Sequence, residues 1–161
     1  MRDRDAISAY HNAAAAGSTP VGLVVALYDT ILRDFRRALE ALASGKVESR
    51  IFEMNHALTV IAHLQGTLDF SRGQDAAKTF DRFYNVTRAM IVDANAKADR
   101  NSILQLIEMY SSLRQAWQEV DRKSAAVGQP APPGSPAPVV FPAAPALDPT
   151  ERPSHTTRWS A

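Results

Sequence analysis

The sequence predicts an all-α protein: an antiparallel four-helix bundle with a short N-terminal segment and a disordered, Pro/Ala-rich C-terminal tail. Of the ten prolines, one is Pro20 and the rest lie at or after Pro130, so the long stretch between them can hold helices. In that stretch, apolar residues recur at steps of three and four, and no segment alternates with a period of two. Four amphipathic helices of roughly 20–25 residues joined by short loops pack as antiparallel neighbours.

The first helix is predicted to begin at Pro20 and to end at the pair Ser44-Gly45. Thr19 supplies an N-cap, and proline suits the first helical position because its missing N–H needs no partner there. Glycine accommodates the left-handed backbone that ends many helices. The apolar face of this helix consists of Val24, Leu27, Tyr28, Ile31, Phe35, Ala38, Leu39 and Leu42.

Three further helices are predicted between Val47 and about Lys123. The second is expected to end near the phrase FSRGQD, with Gly73 as the break, and the turn between the third and fourth lies in AKADRNS, with Asp99 or Asn101 as cap. The apolar faces of these three helices are, in order, Val47, Ile51, Met54, Leu58, Ile61, Leu64 and Leu68; Ala76, Phe80, Phe83, Tyr84, Ile91, Ala94 and Ala98; and Ile103, Leu106, Ile107, Tyr110, Leu113, Trp117 and Val120.

These patterns divide the chain into an N-terminal segment (1–18), a helical bundle (19–123) and a proline-rich tail (124–161). The tail cannot hold a helix and has few large apolar residues, which favours a disordered or polyproline-II-like chain. Its apolar points are Val139, Val140, Phe141 and Trp159.

Composition excludes several classes of protein. Lysine plus arginine is 18 against 17 acids, so no chain-wide field attracts nucleic acid or an anionic membrane. The absence of cysteine excludes disulfides, thiolate nucleophiles and cysteine-type metal sites. The N-terminus lacks the apolar core of a secretory signal, and nothing approaches the ~18 consecutive apolar residues of a membrane span. We therefore expect a cytoplasmic (cytosolic) protein without membrane insertion.

No metal, cofactor or catalytic site is predicted. Glu53 and His56 form a Glu-x-x-His step, but a di-metal bundle needs a second such step, and this pair points away from the apolar stripe and is expected to be exposed. A glycine-rich phosphate loop, G-x-S-x-G and H-E-x-x-H do not occur. We therefore expect no enzyme and no small-molecule substrate.

A histidine-phosphotransfer bundle is the alternative from another functional class. Such domains carry an exposed histidine in a motif like A-H-x-L-K-G, and this chain has Ala62-His63-Leu64-Gln65-Gly66. The residue between histidine and leucine is missing, which rotates the leucine by about 100° on the helix. Gln65 also stands where a lysine would neutralise the phosphoryl charge.

Two features exceed what a bundle core requires. Ile7 and Tyr10 form an isolated apolar pair among small and polar residues outside the predicted helices, and such a pair needs a surface to cover. On the third helix, Tyr84, Arg88 and Asn95 fall at the edge of the apolar face, where an asparagine amide can hydrogen-bond another backbone.

The ordered motifs resemble the flagellar secretion chaperones of the FliS family. The resemblance rests on Tyr10, the Ser18-Thr19-Pro20 start, the LYD phrase at 27–29, and the stretches ALTVIAHLQGTLDFSRG, FYNVTRAMIVDANAKAD and LRQAW. It covers about Ile7 to Val120 and stops before the tail. Departures are Thr30 where the family often has glycine, Gln74 in place of the second glycine of a pair, and Asn85 in place of an aspartate.

The resemblance implies an antiparallel bundle that binds the disordered C-terminal segment of flagellin in the cytoplasm. It also implies that binding blocks premature polymerisation and helps deliver flagellin to the flagellar type III export gate. The residues expected to contact this partner are Ile7, Tyr10, Leu27, Tyr28, Tyr84, Arg88 and Asn95. Leu27 and Tyr28 are expected at the edge of the first helix face, and the segment with Ile7 and Tyr10 is expected to cover the bundle when flagellin is absent.

Overall fold

The computed structural model of the chain describes residues 19–126, apart from the side chain of Ser124, and these residues form four helices. The helices are α1 (Pro20–Ala43), α2 (Val47–Gly66), α3 (Phe70–Lys97) and α4 (Arg100–Ala126). Helix α1 packs against α2 and α4, and α3 packs against the same two helices, so α1 and α3 lie diagonally opposite each other. The predicted all-α bundle is confirmed. No helix within residues 19–126 is both long and apolar enough to cross a membrane.

Helix α1 begins and ends as the sequence predicts. The hydroxyl of Thr19 accepts a hydrogen bond of 2.9 Å from the backbone N–H of Gly22, and Pro20 occupies the first turn. At the other end, Ser44 closes the helix and Gly45 adopts a φ of 67°, a conformation that costs glycine nothing. The start of α1 lies beside the last turns of α4, because the Thr19 hydroxyl donates to the Asp121 carboxylate.

The boundary between α2 and α3 differs from the prediction. Helix α2 ends at Gly66, seven residues before the predicted break at Gly73. The reason is Asp69, whose carboxylate accepts hydrogen bonds from the backbone N–H groups of Ser71 and Arg72 and so starts a new helix. The predicted break survives as a kink inside α3, where Gln74 has a φ of 40° and a ψ of −118°.

Helix α3 ends at Lys97, and the turn into α4 lies where the sequence places it. Ala98 adopts a left-handed φ of 53°. Asp99, rather than Asn101, is the cap of α4: its carboxylate accepts from the Asn101 backbone N–H at 2.9 Å and from the Ser102 hydroxyl at 2.7 Å.

The core is centred on aromatic side chains. The Tyr110 ring lies 5.3–5.7 Å from the rings of Tyr28, Phe35 and Phe83, measured between centroids, in tilted and edge-to-face arrangements. The Thr87 hydroxyl donates to the Phe83 carbonyl, so the Tyr110 hydroxyl donates to Thr87 over 2.8 Å. Most predicted core residues are buried, but Val47, Ile51 and Ala98 are exposed.

A polar seam joins α1 to α2 and corrects the expectation that Glu53 and His56 are exposed. Asp34 is almost fully buried, and its carboxylate accepts from Nδ1 of His56 at 2.6 Å. Glu53 is buried too and lies 3.9 Å from Arg37. Burial raises the pKa of Asp34, opposed by the hydrogen bond from His56. The helical period of α2 alone does not reveal that α1 carries Asp34 and Arg37, which lie next to His56 and Glu53. Within residues 19–126, no group of three or more His, Cys, Asp or Glu residues could hold a metal ion.

We expect Gln74→Gly to raise the stability of the protein. A non-glycine residue in this sparsely populated backbone region is destabilised by about 1–3 kcal/mol, while glycine in a helix adds an entropic cost of about 0.5–1 kcal/mol. The net gain should be on the order of 1 kcal/mol, measured by urea unfolding. Gln74→Ala, which keeps the Cβ atom, is the control and should show no gain. If glycine destabilised the protein as in an ordinary helix interior, the kink would not be strained.

We expect Asp99→Ala to destabilise the protein at pH 7, with an effect that fades in acid. The hydrogen bond from Ser102 is the main reason that the pKa of Asp99 is lowered in the folded protein. A lowered folded-state pKa means that the ionised carboxylate stabilises the fold above its unfolded-state pKa of about 4, and that this stabilisation disappears as the pH falls through the folded-state pKa. Thermal melts at pH 7 and pH 3 measure both differences. Asp93→Ala, on the exposed surface of α3, is the control, and an equal loss at both pH values would contradict the prediction.

Candidate partner-binding site

An apolar groove opens at the end of the bundle where α1 begins and α4 ends. We call it the end groove, and it encloses a cavity of about 210 Å³. Its walls come from the first turns of α1, the α2–α3 connection, α3 and α4. The lining residues are Pro20, Leu23, Val24, Leu27, Leu64, Thr67, Leu68, Asp69, Phe80, Tyr84 and Trp117.

Aromatic rings form the floor of the end groove. The centroid of Phe80 lies 5.7 Å from that of Trp117 and 6.3 Å from that of Tyr84. Each of these three side chains is at most 3% exposed, so the rings are held by the core beneath them. The half-buried Leu23 and Leu68 form part of the wall above. This arrangement suits apolar side chains of a partner.

A pair of tyrosine hydroxyls fixes the floor from below. The hydroxyl oxygens of Tyr28 on α1 and Tyr84 on α3 are 2.7 Å apart and buried. Burial raises the pKa of Tyr84 to about 12 and that of Tyr28 well above its usual value. Both phenols therefore stay neutral at physiological pH, and each hydroxyl uses the other as its hydrogen-bond partner.

A second, more open depression lies between α2 and α3. We call it the side groove, and it is lined by Leu58, Arg88, Ala89, Val92, Asp93 and Ala96. Val92 is 58% exposed and gives this depression an accessible apolar side chain. Arg88 donates to the side-chain oxygen of Gln65 on α2 at 3.0 Å, so its guanidinium is held across the two helices.

Asn95 lies on α3 two turns after Arg88 and is half-buried. Its side-chain oxygen Oδ1 is buried and accepts no hydrogen bond from the part of the chain that the structure describes. A buried acceptor without a donor is destabilising by about 1–3 kcal/mol. Asn95 thus retains an acceptor that residues 19–126 do not use.

The structure separates the predicted contact residues into groups. Leu27 and Tyr84 both line the end groove, and Arg88 lines the side groove. The expectation that Tyr28 lies at the edge of the helix face is wrong: its side chain is 0% exposed and its hydroxyl is occupied by Tyr84. Ile7 and Tyr10 lie outside the described residues.

Of the eleven residues that line the end groove, the sequence predicts only Leu27 and Tyr84 as partner contacts. It places five of the others only on the apolar core faces (Val24, Leu64, Leu68, Phe80 and Trp117), and it assigns the remaining four, among them Leu23, to neither. Leu23 lies one helical turn before Leu27, so the apolar face of α1 extends further toward its N-terminus than the predicted list. This extension was the available signal. Leu68 was placed on a helix, whereas it lies in the connection between α2 and α3.

The phosphotransfer alternative places its histidine on the exposed surface of α2, and His63 is exposed. Gln65, at the position that the motif gives to lysine, takes part in a network between α2 and α3. Its amide nitrogen donates to Asp81 at 2.6 Å and to Asn85 at 3.0 Å, and its oxygen accepts from Arg88. Gln65 therefore links α2 to α3. It does not supply the positive charge that the lysine of the phosphotransfer motif would supply.

We expect the single substitution Tyr28→Phe to lower the free energy of unfolding more than the double substitution Tyr28→Phe with Tyr84→Phe. The single change leaves the buried Tyr84 hydroxyl without its partner, which should lower the free energy of unfolding by about 1–3 kcal/mol. Replacing both tyrosines removes both polar groups and should restore part of that loss. Urea unfolding of the four proteins of a double-mutant cycle measures the coupling. Additive losses would show that the two hydroxyls do not depend on each other.

Comparisons with known proteins bear on the whole bundle. Residues 3–124 match the family model described as "Flagellar protein FliS". The chain is 28% identical over 120 residues to the flagellar secretion chaperone FliS of Campylobacter jejuni, covering 74% of this chain and 94% of that protein. It is also 28% identical over 80 residues to the flagellar secretion chaperone FliS of Vibrio cholerae, covering 50% of this chain and 59% of that protein. The chain therefore belongs to the FliS family, a family of flagellar secretion chaperones.

Proposed function

We propose that this protein is a cytosolic export chaperone that binds the C-terminal segment of flagellin before secretion. It keeps that segment from polymerising and assists its delivery to the flagellar type III export apparatus. The observation that carries this proposal is the end groove, whose aromatic floor and apolar walls include Leu27 and Tyr84. These two residues belong to two of the sequence phrases on which the resemblance to the family rests.

A groove of this kind suits a partner that has no fold of its own. A disordered amphipathic segment can lay its apolar side chains into grooves between helices and wrap a large surface. Such coupled folding and binding buries on the order of 1,000–3,000 Å², and part of the interaction energy is lost in ordering the segment. The resulting contact is specific but still releasable at the export gate.

The side groove extends the proposed contact along α3. Arg88 is exposed and offers donors to carbonyl or carboxylate oxygens of the bound segment. We propose that Asn95 also contributes: its oxygen Oδ1 accepts no hydrogen bond within residues 19–126, and a rotation of the side chain toward the surface would let it accept one from a backbone N–H of the segment. A partner that crosses from the end groove to the side groove would thus use apolar contacts at one end and hydrogen bonds at the other.

Tyr28 contributes to this site from beneath. Because its hydroxyl holds that of Tyr84, it positions one ring of the groove floor without touching the partner. We propose that Ile7 and Tyr10, which precede the groove-lining Pro20 in sequence, add contacts to the bound segment. The function requires binding and release only, so we propose no catalysis, no cofactor and no metal.

Titration calorimetry of the full-length protein against a C-terminal flagellin peptide from the same organism tests the proposal. We expect saturable one-to-one binding with a negative change in heat capacity, because apolar surface is buried. Leu23→Ser should weaken binding about tenfold or more, since a partly buried leucine contact is worth roughly 1.4 kcal/mol or more. Leu104→Ser, an exposed leucine of α4 that lines neither groove, is the matched control and should bind like the unaltered protein.

Each other result has a definite meaning. Binding that Leu23→Ser leaves unchanged would move the contact away from the end groove. Absence of binding by a folded protein would contradict the flagellin assignment. The double variant Ile7→Ala and Tyr10→Ala should alter the affinity while circular dichroism stays unchanged, whereas a loss of helicity would make these residues part of the fold.

A further inference from the structure

The family match ends at residue 124, but the chain continues to residue 161. Between Val127 and Leu147 this continuation contains no charged residue, and it includes one run of three large apolar residues, Val139-Val140-Phe141, with a proline on each side. We propose that the segment Val139–Phe141 docks into the end groove of its own chain and competes there with the exported partner. The docking is independent of the proposed function, whereas the competition rests on it.

The geometry of α4 brings the tail to the correct end of the bundle. Helix α4 stops at Ala126, and Asp121, in its last turns, is hydrogen-bonded to Thr19 at the start of α1. The end groove opens at this same end, with Pro20 in its wall. Trp117 in the groove floor lies about 14 Å along the helix before Ala126, at about 1.5 Å per residue. The described part of the chain therefore ends about 14 Å along α4 from the groove floor, at the same end of the bundle.

The connecting stretch is long enough to turn back. Residues 127–138 separate the end of α4 from the apolar run, and in polyproline-II geometry of about 3.1 Å per residue they span roughly 37 Å. That reach exceeds the roughly 14 Å back to the groove floor more than twofold, so the chain can reverse its direction without strain. The glycines at 128 and 134 give this stretch positions at which it can turn.

The chemistry of the groove fits a proline-flanked apolar segment. Proline-rich peptides bind grooves lined by aromatic residues, because their preformed polyproline-II backbone loses little entropy on binding. The end groove has Phe80, Tyr84 and Trp117 in its floor. These rings are at most 3% exposed, so the more exposed Pro20, Leu23 and Leu68 of the walls supply most of the accessible apolar surface. Residues 127–147 also carry no charged side chain that would lose hydration there. By contrast, the apolar pair of the N-terminal segment follows four charged residues in the sequence, Arg2, Asp3, Arg4 and Asp5.

Attachment to the same chain makes even a weak contact effective. A twelve-residue connection that turns at its two glycines gives an effective concentration on the order of 1 mM. A segment with an intrinsic dissociation constant of about 0.3 mM would then occupy the groove in roughly three-quarters of the molecules. Because only the open fraction binds a partner, the apparent affinity for the partner would fall about fourfold.

Paramagnetic labelling of the full-length protein tests the docking directly. The chain has no cysteine, so Ala143→Cys gives a single attachment site for a nitroxide next to the apolar run. We expect the label to broaden the amide NMR signals of Leu23 and Leu68 in the groove but not that of Leu104, near the start of α4. Replacing Val139, Val140 and Phe141 by serine in the labelled chain should restore the groove signals.

The results that would overturn the docking are equally direct. One is the absence of groove broadening from Ala143→Cys, and another is broadening that persists in the triple serine variant. Broadening from a label at Ala9→Cys but not at Ala143→Cys would assign the groove to the N-terminal segment instead. A mixture of nitroxide-labelled chains and isotope-labelled chains without a nitroxide tests contact between two molecules. Broadening of the groove signals only in this mixture would show that the tail of a second copy occupies the groove.

Calorimetry with the flagellin peptide separates the competition from the proposed function. The full-length triple serine variant should bind the peptide about fourfold more tightly than the unaltered chain. Docking in the NMR experiment with no change in affinity would place flagellin outside the end groove and overturn the competition. If neither chain bound the peptide, the flagellin assignment would fail, and the docking would still be decided by the nitroxide experiment.

Discussion

The hydrogen bond between Tyr28 and Tyr84 connects α1 and α3, one of the two diagonal pairs of helices that do not pack directly on each other. Helices α1 and α3 lie on a diagonal, and their backbones meet only α2 and α4. A diagonal of this kind must be filled by side chains long enough to meet in the centre, and two tyrosines whose hydroxyl oxygens are 2.7 Å apart do so. Helix α3 is thereby located with respect to α1, and the floor of the end groove follows from that position.

The same constraint explains why the centre of this protein is aromatic and yet partly polar. Buried hydroxyl groups need hydrogen-bond partners. The hydroxyl of Tyr110 is hydrogen-bonded to that of Thr87, and the hydroxyl of Tyr28 to that of Tyr84. Each such bond is satisfied in only one relative position of the helices, so the groove floor is fixed before a partner arrives. A preorganised floor reduces the ordering that binding requires, which leaves the entropy cost mainly with the disordered partner.

The sequence predicted the helices well because their signals are local. Thr19, Pro20, Ser44, Gly45 and Asp99 act at the positions where capping chemistry places them. The end of α2 lies earlier than the predicted break at Gly73, because the carboxylate of Asp69 starts a new helix before that point. The depth of Tyr28 and the partners of His56 depend on which helices face each other, and a single helical period carries no such information. The two grooves are gaps between helices, so they too follow only from the assembled bundle.

The polar seam between α1 and α2 has a consequence for the topology of the chain. Four antiparallel helices with similar apolar stripes can be arranged with either of two handednesses, and hydrophobic patterning alone does not choose between them. Asp34 meets His56 and Arg37 lies near Glu53 only when this face of α1 is turned toward α2. In the mirror arrangement the buried Asp34 would lose its hydrogen-bond partner, and a buried polar group without a partner is destabilising. The seam thus acts against the wrong winding of the bundle.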